Sequence, residues 1–112
     1  MIMRFRNRTI PKPTVRPAVI LTEDALVYMR INGAVTELDL ADLSRVSVFA
    51  SGDQCYWHIE GKGCNEAIVP MDVPGESLIR QYLSDWRGFD YDGLVRFVSD
   101  DQPQGRRQLW PL

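Results

Sequence analysis

Leu26-Val27-Tyr28-Met29-Arg30-Ile31-Asn32-Gly33-Ala34-Val35-Thr36-Glu37-Leu38-Asp39-Leu40 is the stretch that decides the fold. Asn32-Gly33 separates two runs rich in β-branched and apolar residues, and both turn residues accept the positive φ of a two-residue type I′ turn. The stretch therefore predicts an antiparallel hairpin. A two-residue turn sets Ile31 opposite Ala34, Met29 opposite Thr36 and Val27 opposite Leu38, which makes one largely apolar face. Tyr28 opposite Glu37 and Arg30 opposite Val35 then fall on the other face.

Outward from this hairpin the pattern repeats. Ala18–Thr22 precedes it, and Arg45–Ala50, Cys55–Ile59 and Asn65–Met71 follow, each a short apolar run bounded by turn residues. Gly61-Lys62-Gly63 predicts a second hairpin, with Glu60 opposite Cys64, His58 opposite Glu66, Tyr56 opposite Ile68 and Cys55 opposite Val69. Its faces separate: Cys55, Trp57, Ile59, Ala67 and Val69 point inward, and Tyr56, His58, Glu60 and Glu66 point outward.

The period then changes. Leu78, Ile79, Tyr82, Leu83 and Trp86 fall at helical spacing after a start at Asp72-Val73-Pro74-Gly75-Glu76, with Asp72 as cap and Arg87-Gly88 as the stop. Asp90 or Asp92 caps a second short helix carrying Tyr91, Leu94, Val95 and Val98. Arg107–Trp110 returns as a last strand before Pro111. Strands in succession followed by helices predict an α+β fold: a bent antiparallel sheet or partly open barrel of six to seven strands, with a C-terminal helix or helices. Residues 1–17 read as a basic, proline-containing N-terminal arm, and residues 18–112 as a single α+β domain.

This order of elements resembles the pleckstrin-homology-like superfold. Asp42, Leu43 and Val46, then Trp57, Leu83, the Gly88-Phe89-Asp90 step and Trp110 are similar to the pattern of a group of short, uncharacterised bacterial proteins of that fold. The resemblance spans residues 18 to 110. It implies a small barrel or sandwich capped by a helix and no assigned activity. The first 17 residues lie outside it, and a second helix before the last strand departs from the simplest pleckstrin-like plan.

The chain has 112 residues, 45% apolar and 25% charged, which suffices for one core without a metal or disulfide scaffold. Its net charge of −2 argues against a duplex-binding protein, but the charge is unevenly placed. Arg4, Arg6, Arg8, Lys12 and Arg16 give residues 1–16 a charge of +5, whereas residues 17–105 hold all 15 acids and carry −9. The basic ends are expected to pack on the acidic body or to meet an acidic partner.

No apolar run reaches the roughly 20 residues of a membrane span, and no apolar segment follows the charged opening, so a cytoplasmic location without a transmembrane segment is expected. Cys55 and Cys64 fall on different faces and are expected to be free thiols.

No spaced cluster of nucleophile, base and charge stabiliser is present, and neither a phosphate-binding glycine loop nor a metal-ligand motif occurs. The expectation is a protein that is not an enzyme, with no catalytic residues, no metal and no cofactor. His58 reads as one half of a cross-strand pair with Glu66. The acids flanking the second helix read as caps and solvated loop residues.

Two features point to binding. Arg4, Arg6 and Arg8 alternate along an extended segment and would present three guanidinium groups on one side, suited to an anionic ligand or headgroup. Tyr28, Phe49 and Tyr56 fall on strand faces opposite the inferred core and would form an outward aromatic patch, suited to a protein partner or a homodimer seam. The leading expectation is an interaction module for a protein partner. The alternatives are a small-ligand or anionic-headgroup binder using the N-terminal arginines, and an immunity-type inhibitor acting through the acidic body. Nucleic acid is not expected as a partner.

Overall fold

A computed structural model describes residues 17–111. It is α+β, with seven strands in two antiparallel sheets and two helices. The first sheet holds β1 (Ala18–Leu21), β2 (Ala25–Met29) and β3 (Val35–Asp39) in that order. After a single 3-10 turn at Leu40–Asp42, the chain forms β4 (Arg45–Ser51), β5 (Gln54–Glu60) and β6 (Glu66–Pro70). Helices α1 (Glu76–Ser84) and α2 (Tyr91–Ser99) follow, and β7 (Arg106–Trp110) returns to complete the second sheet in the order β6-β5-β4-β7.

The core lies between the sheets and under the helices. Val46, Val48, Trp57, Ile59, Ala67 and Val69 come from the inner face of the second sheet, and all are at most 1% exposed. Leu26, Tyr28 and Leu38 face them from the first sheet, while Ile79 and Leu83 of α1 and Leu94 of α2 close the remaining side. The inward set expected of the second hairpin thus forms the centre of the core, except that Cys55 stays half-buried.

The first hairpin differs from the sequence expectation by one residue. Met29 pairs with Val35 and Tyr28 with Thr36, because the loop has three residues: Arg30 N–H donates to Ala34 O at 2.8 Å and Gly33 N–H to Arg30 O at 2.9 Å. This is a turn closed by a left-handed glycine, with φ of +88° at Gly33, in place of a two-residue type I′ turn. An odd slip changes which faces of the two strands coincide. Leu26 and Tyr28, not Val27 and Met29, share the core face with Leu38, so Tyr28 is only 6% exposed.

The second hairpin slips by two, pairing Glu60 with Glu66 and Tyr56 with Pro70. An even slip leaves every face where the alternation puts it.

Helix α1 is entered through Gly75, not Asp72, at φ +87°. Val19 N–H donates to Pro74 O at 2.9 Å, and a Cβ at position 75 would collide with the Val19 carbonyl. Glycine is what lets the helix approach β1. Asp90 caps α2 by accepting from Gly93 N–H at 3.0 Å, and its second oxygen accepts from Arg107 Nη2 at 3.0 Å, which fastens α2 to β7.

Candidate functional site

The outward face of the second sheet gathers the polar and aromatic groups that strand alternation keeps out of the core. Register sets them in two cross-strand rows. Arg106, Phe49 and Tyr56 form one row, and Gln108, Ser47, His58 and Ile68 form the next.

In the first row Phe49 and Tyr56 stack with centroids 5.1 Å apart and rings 12° from parallel, and the Arg106 guanidinium lies 5.0 Å over the Phe49 ring. His58 meets Phe49 edge-on at 6.4 Å. Arg106 Nη1 donates to His58 Nδ1 at 2.8 Å, so the other nitrogen carries the proton and donates to Glu66 Oε2 at 3.1 Å. Ser47 is 1% exposed beneath this layer, and Ile68 stands 41% exposed at its border.

Both imidazole nitrogens are engaged, one by a guanidinium and one by a carboxylate. The cluster therefore offers an aromatic surface whose imidazole nitrogens are already paired. Arg45 and Glu60 extend this pairing at the end of the sheet, at 3.6 Å. No group of three or more His, Cys, Asp or Glu side chains that would hold a metal ion occurs among the described residues. Both cysteines are free, and burial raises the Cys55 thiol above its ordinary pKa, which disfavours the thiolate.

Of the aromatic residues expected to share one patch, the structure brings Phe49 and Tyr56 together and separates Tyr28 from them. Tyr28 lies on the core side of the first sheet under Arg30, whose guanidinium is 5.6 Å from its ring. Its edge lines a separate cleft of about 390 Å³ with Arg30, Asn32, Pro70 and Asp72. Arg4, Arg6 and Arg8 lie outside the described residues.

The sequence reading missed Arg106 and its contact with His58. The signal was present in the alternation of β7, but the neighbour of β7 is β4, nearly 60 residues earlier, and no local pattern announces that pairing. The His58–Glu66 contact is present as a diagonal one, since the residue opposite His58 is Ile68. No described helix is long and apolar enough to cross a membrane.

Compared with models of protein families, with curated proteins and with solved structures, the chain matches none.

Proposed function

We propose that this chain is a non-enzymatic interaction module of pleckstrin-like plan, working in the cytoplasm, that binds a protein partner through the outward face of its second sheet. The observation that carries the reading is the stacked Phe49–Tyr56 pair with Arg106 over it. Aromatic residues and arginine are the types enriched at protein contacts and at their energetic centres. Here they are held in place before any partner arrives, which lowers the ordering cost of association.

Two antiparallel sheets of three and four strands, with a helix packed against β1, support the pleckstrin-like plan. The position of both helices before β7 departs from it. The engagement of both His58 nitrogens supports a contact role over general-base chemistry, because a base needs a free nitrogen at the reacting proton.

The test is affinity capture from source lysate with the full chain and with its Phe49→Ala/Tyr56→Ala variant, circular dichroism showing that the variant stays folded. A stoichiometric partner bound roughly 30-fold more weakly by the variant supports the reading. Equal capture by both chains overturns it. Binding of inorganic phosphate or anionic vesicles that disappears on changing Arg4, Arg6 and Arg8 to serine, with no protein captured, moves the function to the anionic-ligand reading.

A further inference from the structure

Among the described residues the outward face of the first sheet has no element packed over it, and it is divided in character. Ala18, Met29 and Val35 form one cross-strand row, and Ile20, Val27 and Glu37 form the next. Ile20 is 51% and Val35 58% exposed, an apolar surface of a kind that soluble domains keep small. Beyond it the face becomes acidic: Glu37 and Asp39 on β3, with Glu23 and Asp24 in the turn between β1 and β2, are all exposed. None of these four joins an ion pair among the described residues.

A segment that complements this face must be apolar where it crosses the first row and basic where it reaches the far end. We infer that residues 1–16 of this same chain are that occupant. The segment carries +5 with no acid, and it interleaves Phe5 and Ile10 with Arg4, Arg6 and Arg8. It joins the domain at Pro17, directly before Ala18, and so enters at the apolar end of the face. Residues 9–16 span up to about 26 Å when extended. Glu37 and Asp39 lie about 7 and 13 Å from the Ala18 row along the strands, which leaves length for the turn that Pro11 and Pro13 favour. Docking covers Ile20 and Val35, sets arginines against Glu37 and Asp39, and leaves the second sheet as the face open to a partner.

The experiment uses the full chain. With Cys55→Ala and Cys64→Ser in place, a nitroxide on Asn7→Cys reports which methyl groups it approaches. Selective broadening of the Ile20 and Val35 methyls, with Ile68 on the other sheet spared, is the expected result. The broadening falls at roughly 1 M salt, where the screening length is about 3 Å. It also falls in Glu37→Lys/Asp39→Lys and returns when Arg6→Glu/Arg8→Glu is added. Uniform weak broadening, or broadening centred on Ile68, overturns the inference. Broadening that appears only between separately labelled copies overturns it in favour of exchange of the segment between two chains.

Discussion

The indole N–H of Trp57 donates to Glu76 Oε2 at 2.7 Å, tying the middle of the second sheet to the first turn of α1. Glu76 is 7% exposed, and both its oxygens also accept from Arg80 Nη2, at 3.1 and 3.3 Å. A buried carboxylate persists here because its acceptor capacity is used and because it sits at the positive end of a helix. Arg80 keeps about a third of its side chain in solvent, so its share is discounted for screening.

Removing the acceptor leaves a buried indole N–H without a partner. Glu76→Leu is expected to cost about 2–3 kcal/mol in chemical denaturation. Glu76→Gln, which keeps an oxygen for the indole, is expected to cost about 1 kcal/mol. Equal losses from the two variants would mean that the hydrogen bond is not what holds α1 on the sheet.

Glycines at positive φ are expected to differ in cost according to what surrounds them. Gly33 has open space where a Cβ would stand, whereas at Gly75 the Val19 carbonyl occupies that space. Gly33→Ala is expected to lose only the left-handed conformational term, about 1 kcal/mol. Gly75→Ala must also push α1 away from β1 and is expected to lose at least about 2 kcal/mol. Thermal unfolding of the two variants gives the ranking, and a reversed order would refute the close approach at Val19.

Asp90 supplies a pH dependence of definite sign. The hydrogen bond from Arg107, then that from Gly93 N–H, hold its carboxyl below the ordinary aspartate value of 3.8. A carboxyl depressed in the folded state stabilises at pH above its unfolded value, and that contribution is lost as the pH falls through the folded one. Asp90→Asn keeps the cap and removes the charge. The variant is expected to be less stable than the parent at pH 6 and to converge with it toward pH 2, as read from urea midpoints. A constant gap across that range would show that the charge on Asp90 is not responsible.

Element types were legible because each is written in local periodicity: alternation around Trp57 and Ile59, and 3.6-residue spacing from Leu78 to Trp86. A cap at the start of α2 was legible for the same local reason, as Asp90 or Asp92, and the structure selects Asp90. What was not legible depends on distant neighbours. The sequence placed Glu76 in a helix start but could not show that Trp57 would lie above it, nor that Arg106 would reach His58. Register lies between these extremes, since a turn's position can be read and its residue count cannot. The second hairpin slips by two and keeps Tyr56 outward beside Phe49. The first slips by one, and Tyr28 goes to the core.

That difference rests on Ile31, the 75%-exposed first residue of the three-residue loop. Arg30 and Ala34 already close the loop with a 2.8 Å hydrogen bond, so deleting Ile31 leaves Asn32-Gly33 as a two-residue turn between the same paired strands. The type I′ turn it would adopt suits the strand twist, and every side chain of β2 and β3 keeps its face. Deletion of Ile31 is therefore expected to change stability by no more than about 1 kcal/mol, within the range of benign surface changes plus turn effects. The near-ultraviolet circular dichroism of buried Tyr28 and Trp57 is expected to stay as in the parent. Deletion of Val27, inside the strand, should instead drive Tyr28 outward and abolish the cooperative transition. If the Ile31 deletion did the same, the three-residue loop itself, and not the pairing it closes, would be fixing the register of the first sheet.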